Sequence, residues 1–156
     1  MNCENCGGPL RATHNPNKLA CDYCGGLRVL DETAADAEGV QFLAASEQSC
    51  PICHDLLHDA TLDGFSAQAC ARCGGVLMRQ EVFAQIVRGR RMRYDGVREE
   101  RRPVDAAELR REVQCPVCSR RMETHPYYGS GGVVIDTCAK CAMVWVDRGE
   151  MRVIER

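Results

Sequence analysis

The twelve cysteines of this 156-residue chain constrain its fold more than any other feature. They form six Cys-x-x-Cys pairs, and the spacing between successive pairs alternates between short and long. Gaps of 14, 16 and 19 residues fall within three presumed units, and gaps of 25 and 41 residues separate the units. Pairs roughly 15 to 20 residues apart are typical of four-cysteine zinc sites. The spacing therefore predicts three metal sites: Cys3, Cys6, Cys21 and Cys24; Cys50, Cys53, Cys70 and Cys73; and Cys115, Cys118, Cys138 and Cys141.

Zinc suits these sites because it takes four thiolates in a tetrahedron, and each Cys-x-x-Cys turn places two of them on one side of the ion. We therefore expect three Zn²⁺ ions, one per site. Four cysteines close the coordination shell and leave no position for water or substrate, which predicts structural zinc in a protein that is not an enzyme. Twelve cysteines already supply every ligand for three ions, so the four histidines are not expected to bind zinc.

The units are too small to fold around an apolar core alone. Each spans roughly 25 to 40 residues, a size at which domains usually need metal or disulfides. Between the cysteine pairs, short apolar or β-branched segments flank turn signals such as Asp63-Gly64, as in a ribbon of two or three strands. The predicted fold class is small zinc-stabilised domains, with three tandem zinc β-ribbons and short connecting helices.

The cysteine spacing also divides the chain into segments. We predict ribbon 1 over 1–30, a linker over 31–48, ribbon 2 plus a short helix over 49–87, an Arg-rich linker with a short helix over 88–113, and ribbon 3 plus a short C-terminal helix over 114–156. Helical spacing of Val40, Leu43 and Ala44 predicts a short helix in the first linker. Asp105 and Glu108 resemble a capping box, which predicts a helix over 106–113. The charge-rich run over 88–102 is expected to be a mobile or weakly structured linker.

The N-terminus contains no basic region followed by an apolar stretch, and no segment is apolar over the length of a bilayer. We therefore expect a cytoplasmic protein without a membrane partner. In a reducing compartment, regularly spaced thiols hold metal more often than they form disulfides.

The third unit resembles a known family. It contains Cys115-Pro116-Val117-Cys118 and Cys138-Ala139-Lys140-Cys141, followed by Trp145-Val146-Asp147-Arg148-Gly149-Glu150. This is similar to the transcription factor IIB-type zinc ribbon, in which Cys-x-x-Cys precedes Gly-Gly-x-Trp-x-Asp-x-Gly-Glu; here Ala142 replaces the first glycine. The resemblance covers 115–154 most fully, and 50–87 in part, where Leu77 stands at the tryptophan position. In 3–30 only the zinc frame matches. The resemblance implies a zinc-stabilised β-ribbon, a packing role for Trp145 and a link to transcription-type binding modules.

Three functions fit these observations. The leading hypothesis is a non-enzymatic adaptor that binds another protein, with no small-molecule substrate evident. The alternative is nucleic-acid binding through the eleven arginines between Arg88 and Arg121, although six acidic residues share that span. A redox or metal-handling protein is the third, since Cys-x-x-Cys thiols can also exchange with disulfides.

Overall fold

The computed structural model describes residues 2–3, 5–12, 18–29, 38–96, 103–127 and 132–155. Within these ranges the chain forms ten strands and three helices. The strands are β1 Leu10–Ala12, β2 Lys18–Cys21, β3 Leu27–Val29, β4 Val40–Ser49, β5 Leu56–Leu62, β6 Phe65–Ala69, β7 Val76–Arg79, β8 Glu123–Pro126, β9 Val134–Cys138 and β10 Met143–Val146. The helices are α1 Gln80–Arg93, α2 Ala106–Leu109 and α3 Glu150–Ile154. None of the helices in the described ranges is long and apolar enough to cross a membrane.

Ribbon 1 is a three-stranded antiparallel sheet in the order β1-β2-β3. Its register pairs Leu10 with Cys21 and Leu19 with Arg28. Leu19 is buried, and together with Leu10 it lines a small cavity beside β5 and β6 of the larger sheet. Strands of three or four residues are marginal in isolation, so this sheet depends on its cysteine turns for stability.

Ribbons 2 and 3 form one continuous antiparallel sheet in the order β4-β5-β6-β7-β10-β9-β8. The two ribbons meet at their last strands, where β7 pairs with β10 and Leu77 lies opposite Trp145. No sequence pattern indicates this junction, because the two strands lie in different zinc units. The fold class is confirmed as a β-rich protein with three four-cysteine groups and short helices.

The two faces of this sheet carry different cores, because successive side chains of a strand point to opposite faces. On one face, Val76, Met78 and Val144 belong to a cluster completed by residues of α1 and α3. On the other face, Leu77 and Trp145 belong to a cluster that includes the cysteines of ribbons 2 and 3. The sheet therefore separates a helix-covered aliphatic core from a core built around the predicted metal sites.

The predicted helix over Val40, Leu43 and Ala44 is wrong. Residues 40–49 form the ten-residue strand β4, which pairs with β5 and places Val40 opposite Leu62. Val40 and Leu62 are each only 1% exposed. Pairing and burial outweigh a weak helical pattern, since intrinsic propensity is overridden by tertiary context. The segment assigned to the first linker therefore contributes its last residues to the sheet of ribbon 2.

The first residues of the Arg-rich run are helical. Helix α1 continues through Arg88, Arg90 and Arg91 to Arg93. The Arg90 side chain is 10% exposed and binds Asp63, with Nε 2.6 Å from Oδ2. Salt bridges inside the protein therefore stabilise the start of this run, whereas 97–102 lie outside the described residues.

Helices α2 and α3 lie in the segments where the sequence predicts helices, and α2 is shorter than predicted. Asp105 accepts a hydrogen bond from the amide of Ala107 at 2.8 Å, as an N-cap does. Helix α2 ends at Leu109, so it is shorter than the predicted 106–113. The predicted C-terminal helix is confirmed as α3.

Candidate metal centres

All six Cys-x-x-Cys pairs form the same type of turn, in which the residue after the second cysteine has a left-handed backbone. These residues are Gly7, Gly25, His54, Gly74, Ser119 and Ala142, with φ between 53° and 77°. In five turns, the amide of this residue donates to the carbonyl of the first cysteine at 2.8–3.0 Å. Glycine is favoured here because a β-carbon is strained at positive φ. Glycine occupies this position in three turns, and larger residues accept the strain in the other three.

The turns bring the predicted ligands together in three separate groups of four. Within each group the sulfur atoms all lie within 4.8 Å of one another. The hydrogen-bond-range sulfur contacts are Cys3–Cys24 at 3.6 Å, Cys6–Cys21 at 3.4 Å, Cys50–Cys73 at 3.5 Å, Cys53–Cys70 at 3.4 Å and Cys118–Cys138 at 3.6 Å. A tetrahedral Zn–S bond of about 2.3 Å separates neighbouring sulfurs by about 3.8 Å, whereas a disulfide needs about 2.05 Å. The three groups fit three zinc ions, and all twelve cysteines are free of disulfides.

Backbone amides point at several of these sulfurs. The amides of Ile52 and Cys53 donate to Cys50 Sγ at 3.4 and 3.5 Å. In the third group, the amide of Arg120 is the main reason that the pKa of Cys118 falls to about 7. Such amides favour the thiolate, which is the form that binds metal. The effect is local, because burial outweighs the two amides at Cys50 and raises the pKa of that thiol.

The second and third groups share one buried core. All eight of their cysteines lie in or against the cluster that contains Leu77 and Trp145. Trp145 is 0% exposed, which agrees with the packing role implied by the resemblance. Its ring crosses the β7–β10 junction onto ribbon 2, since a β-carbon added at Gly75 would lie 2.1 Å from Trp145 Cζ2. Gly75 is therefore needed for this close approach, and Trp145 of ribbon 3 covers the second turn of ribbon 2.

A buried polar network supports Trp145 and was not predicted from the sequence. The Trp145 indole donates to Asp147 Oδ1 at 3.0 Å. Asp147 also accepts from Arg111, whose guanidinium forms a second short ion pair with Asp136. Asp136 is fully buried and accepts a further hydrogen bond from Thr124. These charges hold the residues before the third zinc unit against its tail.

Sequence reasoning could have found one end of this network and not the other. Asp147 belongs to the tail motif that carries the family resemblance. Arg111 lies in the Arg-rich segment and has no signal that separates it from neighbouring arginines. The carboxylates raise the pKa of Arg111 against the opposing effect of its burial, so the side chain stays charged in the core.

The first group differs from the other two in its surroundings. Cys6 and Cys24 are exposed, while the corresponding cysteines of the second and third groups are partly buried. None of the described ribbon 1 residues belongs to either of the two hydrophobic clusters. Cys3 and Cys21 are nevertheless buried, so the ribbon shields half of its own ligand set.

Histidine takes no part in the three groups within the described ranges. His125 instead contacts the Thr137 hydroxyl at 3.2 Å through Nε2, and His58 lies edge-on to Phe42 with ring centroids 6.0 Å apart. His14 lies outside the described residues.

Residues 114–155 match the transcription factor zinc-finger family, the transcription factor IIB-type zinc ribbon. The resemblance found in the third unit is thereby confirmed for that segment. No curated protein and no solved structure matches the chain. The protein is therefore a zinc-binding chain with a zinc ribbon of this family in its last quarter.

Proposed function

We propose that the protein is a non-enzymatic, cytoplasmic adaptor that binds another protein, in contact with the transcription machinery. The observation that carries this proposal is a set of exposed apolar side chains on the zinc turns. Each stands directly before the second cysteine of its pair: Tyr23 before Cys24, Ile52 before Cys53, and Val117 before Cys118. We call these three the knuckle residues.

The chemistry of the metal groups supports a binding role. Four cysteines supply a complete tetrahedral shell for each zinc, so the ion has no open position at which to activate water or a substrate. Zinc then contributes folding free energy, on the order of 10 to 16 kcal/mol in zinc-finger peptides at neutral pH. The family match in ribbon 3 supports a connection to transcription.

The exposure of the knuckle residues points to a protein partner. Tyr23 is 79% exposed, Val117 49% and Ile52 39%. Rigid metal turns hold these side chains at the surface, so little conformational entropy is lost when a partner covers them. Exposed aromatic side chains such as Tyr23 are typical anchors of protein interfaces.

Nucleic-acid binding through the arginines is less well supported. Arg90 is committed to Asp63 and to the carbonyl of Glu38, and Arg91 donates to the carbonyl of Ile154 at 2.9 Å. The formal net charge is −2, and three zinc–tetrathiolate centres would each add about −2 more. Overall charge therefore disfavours general phosphate binding, and the geometry favours a protein partner.

The test is co-purification of the full chain from its native cells, followed by identification of the bound proteins. The triple variant Tyr23→Ser, Ile52→Ser and Val117→Ser should lose those partners while keeping three zinc ions. Met92→Ser is the matched control, because Met92 is 81% exposed on α1, away from the zinc turns. Equal recovery of partners by the triple variant and the wild type would reject the knuckle residues as the contact surface. Nucleic acid that co-purifies with the chain, in an amount that falls steeply as the salt concentration rises, would instead support the arginine alternative.

A further inference from the structure

The three cysteine groups are protected to very different degrees. In ribbons 2 and 3, all eight cysteines pack in or against one shared hydrophobic cluster. In ribbon 1, Cys6 and Cys24 are exposed, and no cysteine of that group joins a cluster formed by the described residues. A small oxidant can therefore approach the first group directly, whereas no cysteine of the other two groups is more than partly exposed.

The glycines beside the cysteines show the same difference. A β-carbon at Gly7 or Gly25 in ribbon 1 would meet no described atom within 4 Å. At Gly74 it would lie 2.8 Å from Arg148 Cδ, and at Gly75 it would lie 2.1 Å from the Trp145 ring. Residues of ribbon 3 thus cover the second turn of ribbon 2. In ribbon 1, a β-carbon at Gly8 would lie 2.8 Å from Tyr23 Cδ2, but Tyr23 is itself 79% exposed and leaves this turn open to solvent.

The sulfur contacts of ribbon 1 allow disulfides to form, as the equivalent contacts of ribbon 2 also do, so exposure is what distinguishes the first group. The exposed Cys6 lies 3.4 Å from the buried Cys21, and the exposed Cys24 lies 3.6 Å from the buried Cys3. Each exposed thiolate therefore has a resolving partner on the opposite turn. Reactive cysteines are accessible thiolates next to a second sulfur, which is the arrangement found here.

We propose that the cysteine group of ribbon 1 is a redox-responsive zinc site, which peroxides oxidise and empty while the groups of ribbons 2 and 3 keep their zinc. Two thiolates lose two electrons and form one S–S bond. Hydrogen peroxide accepts these electrons with two protons from solvent and leaves as two water molecules. The zinc ion then retains two thiolates and passes to water or to a chelator. This activity goes beyond the proposed adaptor role and rests on zinc occupancy of ribbon 1.

The experiment uses the full chain, first shown by native mass spectrometry to hold three zinc ions. Hydrogen peroxide is added in limiting amounts, and a chromogenic chelator records zinc release. One zinc should leave about tenfold faster than the other two, since reactivity follows thiolate exposure. Peptide mapping at that point should find disulfides confined to Cys3, Cys6, Cys21 and Cys24.

Two matched variants complete the test. Cys6→Ser with Cys24→Ser should remove the fast phase, whereas the equivalent pair Cys53→Ser with Cys73→Ser should retain it. Release of all three ions at one rate, or first oxidation of cysteines in ribbons 2 and 3, would overturn the proposal. The peptide mapping uses the wild-type chain, so its result does not depend on whether the variants fold. A starting chain with fewer than three zinc ions would instead contradict the metal assignment itself.

Discussion

Leu77 on β7 and Trp145 on β10 are direct register partners, and each lies four residues after the last cysteine of its unit, Cys73 and Cys141. The β7–β10 pairing is symmetric about these two residues, since Met78 pairs with Val144 on one side and Val76 pairs with Val146 on the other. Ribbons 2 and 3 are therefore related by an approximate two-fold axis that passes between Leu77 and Trp145.

The packing on the two sides of this axis differs. The Trp145 ring lies so close to Gly75 that no β-carbon fits there. The residue equivalent to Gly75 in ribbon 3 is Met143, which is partly buried against the same cluster. Leu77, which stands at the tryptophan position of ribbon 2, is fully buried in that cluster.

Trp145→Ala should destabilise the protein by about 3–5 kcal/mol, because it leaves a large cavity between two metal groups. Chemical denaturation of the zinc-saturated chain measures this change. Met92→Ala is the control, since Met92 is 81% exposed and its truncation should alter the free energy of unfolding by less than about 0.5 kcal/mol. Equal stability of the two variants would show that Trp145 does not hold ribbons 2 and 3 together.

Ala142→Gly should stabilise the chain by about 1 kcal/mol. Ala142 has φ of 53°, where a β-carbon is strained, and glycine removes that strain. Thermal unfolding with saturating zinc gives the comparison. The control is Ala139→Gly in the same turn, because Ala139 is not among the positive-φ residues and the substitution should be neutral or destabilising. A lower melting temperature for Ala142→Gly would contradict the expected strain.

Arg111→Met should cost about 3–5 kcal/mol, because it leaves the fully buried Asp136 without its cationic partner. Adding Asp136→Asn should recover part of this loss in a double-mutant cycle. The exposed pair of Arg72 and Asp55 provides the contrast, and Arg72→Met should cost less than about 1 kcal/mol. An Arg111→Met variant as stable as Arg72→Met would show that the buried network is dispensable.

Glu150 should make stability depend on pH. Burial raises its pKa from 4.5 to about 8 in the folded chain. Because the folded state holds the proton more tightly, this stabilising contribution is complete below pH 4.5 and is lost as pH rises through about 8. Glu150→Gln keeps an oxygen that accepts the hydrogen bond from the Asp147 amide, but its side chain does not ionise.

The free energy of unfolding, measured for both proteins between pH 6 and 9, should therefore fall more steeply for the wild type than for Glu150→Gln. Zinc-ligand protonation affects both proteins equally and cancels in the difference. Parallel pH profiles would mean that Glu150 has an ordinary pKa.

The sequence predicts the local parts of this structure better than the long-range ones. Cysteine spacing predicts which four sulfurs meet, and Asp105 predicts where α2 begins, because both signals lie within short segments. The pairing of Leu77 with Trp145 joins two distant units, so no local pattern contains it. The strand that begins at Val40 is missed for the same reason, since it forms only against β5.

The candidate site shows the same division. The ligand groups are predictable, whereas the Arg111 network depends on how one arginine of many is placed between two carboxylates. The exposure of Cys6 and Cys24 is not predictable either, because burial depends on which units share a core.

Zinc stoichiometry tests the central claim most directly, and the assignment of the twelve cysteines as ligands remains a prediction until it is measured. Native mass spectrometry of the full chain should show three zinc ions, and removal of zinc by a chelator should abolish the folded state. A chain that keeps its tertiary structure with free thiols and no bound metal would contradict a fold built on three zinc ions.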